Sequence, residues 1–217
     1  MTRRAVILIG GGEYARVVAD ALRSNPDAFE LIGFVDPSPD GGMASRLRAP
    51  HLGDDSALVR YPDALAVLAF GSLRPTSARC ETVARLTSTV GGWATVVHRD
   101  ARVAPDVAVG EGTVVESGAV VQVGARIGVH CVISASAGVG HDVAIGDYAQ
   151  VGGLVGGGAS VGARAFVGLG ALIRDHCTVA ADAFVGMGAI VVRDVASGTQ
   201  VLPGGIGIPG PRQWKTS

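Results

Sequence analysis

A branched aliphatic residue falls at every sixth position from Val103 to Val151: Val103, Val109, Val115, Val121, Ile127, Ile133, Val139, Ile145 and Val151. After one irregular interval, read as two shortened hexads, the beat resumes at Val161, Val167, Ile173, Val179, Val185 and Val191. Glycine often follows, as in Ile127-Gly128, Ile145-Gly146 and Val167-Gly168. A period of six does not fit a multi-stranded sandwich, which would show a period of two and irregular strand lengths. Each hexad reads as one short strand and a corner, with the periodic aliphatic pointing inward and a small residue permitting the turn. Three hexads close a triangular coil, and coils stack at about 4.8 Å, one strand spacing. No coil buries its own core; stacking buries a continuous aliphatic column. The chain is therefore expected to contain a parallel β-solenoid of hexapeptide repeats.

Composition agrees with that architecture and narrows the partners. Of 217 residues, 33 are glycine, and an apolar content of 48% with only 5% aromatic predicts aliphatic cores in two small domains. The formal net charge of -1 argues against nucleic acid or an anionic membrane, because both attract a basic excess. Cys80, Cys131 and Cys177 are odd in number and unevenly spaced, which suits a reducing, cytoplasmic setting better than a disulfide framework. Cys131 and Cys177 read as small hydrophobes filling solenoid space. The apolar stretch Ala5 to Ile9 is too short for a signal peptide or a membrane span.

Ahead of the repeats, Ala5 to Ile9 reads as a buried parallel strand, followed by Gly10-Gly11-Gly12 and a helix with Ala15, Val18, Ala19 and Leu22 on its apolar face. Leu31 to Val35 reads as a second strand ending in Asp36-Pro37, and Val67 to Phe70 as a third ending at Gly71-Ser72. A helix from about Thr76 to Leu86 follows. This alternation implies a small Rossmann-like parallel sheet over residues 1–92, with the solenoid and a Gly/Pro-rich tail over 93–217. A glycine turn between strand and helix places backbone N–H groups and a helix amino terminus where a phosphate would sit. Here it either holds a ligand, with Asp36 accepting a sugar hydroxyl, or only permits a tight turn.

His141 is the most informative polar residue of the solenoid, in Val139-Gly140-His141-Asp142-Val143, at a corner rather than in the core. An imidazole hydrogen-bonded to a carboxylate becomes a stronger base, and Asp142 is the candidate carboxylate; the alternative is a solvated corner pair. On the same grid His176 falls on the face of His141 two coils away, roughly 10 Å at one strand spacing per coil, too far to share a metal ion. His130 lies on another face, so no three-histidine zinc set is expected within the chain, and such a set would need residues of neighbouring subunits. His51 and His98 read as loop residues outside the grid. Leu169 and Met187 stack on a neighbouring face and suggest an apolar strip, for a long thin ligand or for another subunit.

The segments Ile9-Gly10-Gly11-Gly12, Phe34-Val35-Asp36, Phe70-Gly71, Gly140-His141-Asp142-Val143-Ala144-Ile145-Gly146-Asp147 and Gly186-Met187-Gly188-Ala189-Ile190 carry a family resemblance. Over nearly its whole length the chain resembles the bacterial sugar acetyltransferases of surface-glycan biosynthesis, the sialic acid O-acetyltransferase and UDP-amino-sugar N-acetyltransferase group. That resemblance implies a left-handed β-helix, a homotrimer with active sites between subunits, and direct acetyl transfer from acetyl-CoA without a metal. It puts the catalytic base on His141 and its supporting acid on Asp142. Acetyl-CoA contacts fall on Gln150, Gly157, Leu169, Gly186, Met187, Gly188 and Arg212, with Lys215 near the phosphates. Contacts to a nucleotide-linked sugar fall on Gly11, Gly12, Glu13, Tyr14, Asp36 and Gly71. The chain departs from the family pattern in having Glu13-Tyr14 for Gly-His, Gln150 for a histidine, and a segment from Gly152 to Ser160 about two residues short. A non-sugar acceptor, or a non-catalytic scaffold of the same shape, are the rival expectations.

Overall fold

The computed structural model describes residues 3–38, 42–71 and 77–203. It begins with a three-stranded parallel sheet in the order β2-β1-β3, formed by β1 (Arg4–Ile9), β2 (Phe29–Val35) and β3 (Leu65–Leu68). After Arg4 the central strand is an unbroken apolar run, because both of its faces are covered. Val6 and Leu8 pack with Val18 and Leu22 of α1 (Glu13–Arg23) and with Leu47 of the short α2 (Met43–Leu47). Ile7 and Ile9 point the other way, onto Leu58 of a 3-10 turn and onto Val83 and Leu86 of α3 (Ser77–Leu86). Ala15, Val18, Ala19 and Leu22 are all buried, as the helical spacing requires.

The third strand starts two residues earlier than Val67, because Ala66 also bonds to the chain entering the solenoid. Its N–H donates to Gly92 O at 2.9 Å, and the Ala94 N–H donates to Ala66 O at 2.8 Å. It ends at Leu68 because Ile9, the last residue of β1, pairs there.

The solenoid follows as three parallel walls of seven, six and five short strands. The first wall runs from Val96–Val97 to Gln200–Val201, the second from Arg102–Val103 to Ile190–Val191, and the third from Ala108–Val109 to Thr178–Val179. In each two-residue strand the second residue points inward, so Val115, Ile133, Val151, Val167 and Val185 stack in one buried column. Val103 and Val109 are only half-buried because they belong to the first coil, with no coil beneath them. Cys131 and Cys177 lie in this core, and burial pushes the Cys131 thiol up to about 12. This is the expected fold class, a Rossmann-like unit followed by a parallel β-solenoid of hexapeptide repeats.

The irregular interval is not two shortened hexads. Val151 is followed by the strand Leu154–Val155 after a step of four residues, and Val161 follows Val155 after a full six. The whole deficit sits at Gly152-Gly153, where the chain cuts the corner between the first and second walls. A Cβ at Gly153 would collide with the Ala171 carbonyl of the next coil, whose carbon would lie 2.9 Å away. Only a residue without a side chain takes that path.

The sheet and the solenoid share a core, since Val96 and Val114 belong to the same apolar cluster as α1. Polar ties reinforce it: the Asn25 side-chain amide donates to Val97 O at 2.8 Å, and the Arg99 N–H donates to Ser24 Oγ at 3.0 Å. Among the described residues no helix is long and apolar enough to cross a membrane.

Candidate active site

His141 and Asp142 form the corner between the second and third walls. Asp142 takes a left-handed conformation, φ 57°, which Asp tolerates better than most residues. The backbone of this corner is held from both sides. The His141 N–H donates to Gln122 Oε1 at 3.0 Å and the Asp142 N–H to Val123 O at 3.0 Å, both in the coil below. From the coil above, the Gly158 N–H donates to His141 O at 2.8 Å. Gln122 is a supporting residue that spacing alone does not reveal, because its role depends on stacking 19 positions away.

The side chains complete a dyad. His141 Nδ1 lies 2.9 Å from Asp142 Oδ2, with the two side chains 57% and 72% exposed. A carboxylate only accepts, so Nδ1 carries the proton in this contact and Nε2 presents its lone pair outward. The pair can therefore remove a proton from a substrate group delivered from solvent or from a cleft. His176 shares the edge two coils further on, as expected, in the register of Asp142 rather than of His141. Among the described residues no group of three or more His, Cys, Asp or Glu side chains is placed to hold a metal ion.

Beside the dyad, the outward residues of the second wall make an apolar face in which Val120, Leu154, Leu172 and Ile190 are exposed. A cleft of about 410 Å³ opens on it, lined by Gln122, Gly140, Leu154 and Gly157 among others. Leu169 and Met187 stand exposed on the far edge of the same wall, with Gly186 buried and Gly188 open beside Met187. The residues expected to touch acetyl-CoA thus frame one wall and its two edges. Gln150 is apart from them in this chain: it is buried on the first wall between Val132 and Phe166. Arg212 and Lys215 lie outside the described residues.

The glycine turn is knitted into the sheet. The Gly10 N–H donates to Val35 O at 2.8 Å and the Gly11 N–H to Asp36 Oδ2 at 2.7 Å, while the Ser38 N–H donates to Asp36 Oδ1 at 2.8 Å. Gly12 caps α1 without a side-chain bond, and Glu13 puts a carboxylate in the first turn, at the positive end of the helix dipole. Tyr14 turns inward. Its ring packs on Gly71, and its hydroxyl donates to Glu116 Oε1 at 2.9 Å. Glu116 in turn accepts the Ala135 N–H at 2.9 Å. Burial, then the Glu116 charge, hold the Tyr14 phenol well above its ordinary range. A wider cleft of about 720 Å³, lined by Glu13, Arg16, Asp20, Arg46, Glu116 and Ser117 among others, lies between α1, α2 and the solenoid.

Several structural residues escape sequence reasoning. Arg79 is fully buried and donates to Phe70 O at 3.2 Å and to His130 O at 2.8 Å, joining sheet to solenoid. The His130 ring stacks on Tyr148 with centroids 5.1 Å apart, and burial, aided by the Arg79 charge, pushes its imidazole down to about 4. His51 and His98 are not plain loop residues. The His51 ring stacks on Phe34, while His98 is buried with Nε2 3.4 Å from Asp20.

A sheet that ends in a glycine turn, carried on a solenoid with a histidine-acid corner, defines a hexapeptide-repeat acyltransferase, and comparison with known proteins is specific about which kind. Residues 5–76 match the PglD N-terminal domain. The crystal structure of PerB from Caulobacter crescentus, in complex with CoA and GDP-perosamine, is 31% identical with a TM-score of 0.78, covering 91% of this chain and 93% of that one. An asparagine-for-histidine variant of perosamine N-acetyltransferase from the same organism, also with CoA and GDP-perosamine, is 30% identical with a TM-score of 0.80 over the same shares. The acetyltransferase domain of PglB from Neisseria gonorrhoeae FA1090, in complex with acetyl coenzyme A, shares the fold at 24% identity and a TM-score of 0.81, covering 96% and 100%. Comparison with curated protein sequences gave no match. The chain belongs to the hexapeptide-repeat sugar acetyltransferases, enzymes that use acetyl-CoA.

Proposed function

We propose that this protein acetylates the amine of a nucleotide-linked amino sugar, with His141 as general base and Asp142 holding its imidazole. The observation that carries the reading is the 2.9 Å contact between His141 Nδ1 and Asp142 Oδ2, which leaves Nε2 free at the edge of an apolar wall. Nε2 takes a proton from the acceptor amine as its nitrogen attacks the thioester carbonyl, and a backbone N–H stabilises the oxyanion. The imidazolium then returns the proton to the departing thiolate. Leu169, Met187 and the second wall suit the thin, largely apolar chain of a CoA thioester, and Gly157 lies within reach of its acyl end. PerB, with CoA and GDP-perosamine bound, supports both substrate classes.

In this reading residues 1–92 bind the acceptor and residues 93–217 carry the transferase chemistry. The assembly is a homotrimer, with sites between subunits completed at the exposed second wall. Two observations favour a second reading of the acceptor. The Gly11 N–H is committed to Asp36, and Glu13 sets a negative charge at the turn where a phosphate would approach. Both make that turn a poorer phosphate cradle than open N–H groups would be. On that reading the acceptor is a free sugar or another small amine or alcohol, with the same base.

Thiol release from acetyl-CoA across GDP- and UDP-linked amino sugars, free sugars and simple alcohols separates these readings. Turnover on a nucleotide amino sugar, lost roughly 100- to 10,000-fold in His141→Ala with fold and CoA affinity kept, is the expected result. Turnover only on acceptors without a nucleotide selects the second reading. No turnover on any of them, with CoA still bound, identifies a scaffold.

A further inference from the structure

The dyad lies between two glycines of neighbouring coils, and one of them sets where the imidazole can be. Gly157 occupies the corner position of His141 one coil above. A Cβ built there would lie 2.7 Å from His141 Cε1 and 2.8 Å from Cδ2, and closer still to Nε2. Real Cβ atoms do not approach ring atoms so closely, so the imidazole lies flat on the Gly157 Cα in space that any side chain would fill. Below, Gly124 does the same for the acid: a Cβ there would meet Asp142 Oδ1 and lie 3.2 Å from Cγ.

The two glycines differ in one useful respect. Gly124 has φ +74°, so a side chain there strains the backbone whatever the space, whereas Gly157 is outside the left-handed region. At Gly157 the three nearest atoms an added Cβ would meet all belong to the His141 ring, the mobile end of an exposed side chain. Alanine there is accepted by the fold and refused by the imidazole, which swings away.

We propose that Gly157 is a positioning residue of the enzyme: its lack of a side chain seats the His141 ring between Asp142 and the cleft of the second wall. This rests on the reading of His141 as the base, and it goes beyond contact between Gly157 and the acyl donor. The Gly158 seat is built alike, since a Cβ there would lie 2.5 Å from His176 Nδ1. The corner between the two histidines is thus free of side chains on both of its residues.

The test is a double-mutant cycle of Gly157→Ala and His141→Ala, with kcat, KM for acetyl-CoA, CoA affinity and thermal midpoint measured on all four proteins. Displacement of an aligned base by about an ångström costs roughly 100-fold in rate, so Gly157→Ala is expected to lose about that in kcat. Its thermal midpoint should stay at the wild-type value, and any change in CoA affinity should be small beside the loss in kcat. In the His141→Ala background the same substitution should cost nothing further, because no ring remains to displace. Gly157→Ser, slightly larger, should behave as alanine does. Wild-type kcat in Gly157→Ala, an equal further loss in the His141→Ala background, or a loss confined to CoA affinity would each overturn the proposal. A fully active His141→Ala would instead overturn the assignment of the base, so the two failures are distinguishable.

Discussion

His141 owes its competence to neighbours separated from it in sequence by one, nineteen and sixteen positions: Asp142, Gln122 and Gly157. Asp142 is the partner whose contribution is most easily isolated. Asn in its place keeps an oxygen for the Nδ1 proton and tolerates φ 57°, but removes the carboxylate charge beside the ring. Asp142→Asn should therefore lower kcat by less than His141→Ala while leaving the melting curve in place, as steady-state rates and calorimetry will report. The histidine-acid pair was legible in the sequence because its two members are adjacent and sit two positions after an inward aliphatic. Tyr14 was not. Its hydroxyl finds Glu116, 102 positions away, and no local pattern announces that the ring turns inward toward the solenoid rather than toward a ligand. Arg79 and His130 escaped for the same reason, since a buried guanidinium is intelligible only once the carbonyls that receive it are in place.

At the scale of the element, the hexad is the unit that the sequence encodes most clearly. Parallel pairing holds register across every coil, from Val132↔Gln150 to Val167↔Val185, and the inward aliphatic column follows from it. The one irregular interval shows in the sequence but its division does not, because a glycine pair does not say which corner it shortens. Gly152-Gly153 takes the whole deficit, with the Ala171 carbonyl pressed against Gly153. Gly153→Ala should destabilise the solenoid by about 1–3 kcal/mol, the usual cost of overpacking against a rigid backbone. A chemical-denaturation midpoint equal to wild type would show that this coil can yield. The small sheet is nearly as legible in its apolar runs. The five-residue α2 and the early start of β3 depended on contacts with the rest of the chain.

Across the whole molecule, sheet and solenoid are joined by buried polar contacts as well as by a shared apolar core, and one of them titrates in an accessible range. His130 has an ordinary value of 6.5 and is pushed down to about 4 in the folded protein, chiefly by burial. Between those two values the unfolded chain holds more protons than the folded one, so this contribution to stability is complete above about pH 6.5 and is lost as pH falls toward 4. The effect is bounded at roughly 3 kcal/mol. His130→Asn, chosen because Asn accepts the φ of 53° at this position, should flatten the acid limb of the stability–pH curve, although the truncated ring lowers stability overall. An acid limb as steep as wild type would locate the titrating group elsewhere. Catalysis by the dyad depends above all on where the substrates meet, and a crystal structure of the protein with CoA and a nucleotide-linked amino sugar measures that directly. It should place the acceptor amine within hydrogen-bond reach of His141 Nε2, with the CoA sulfur in the same cleft. Substrates bound with that nitrogen remote from the amine would contradict it.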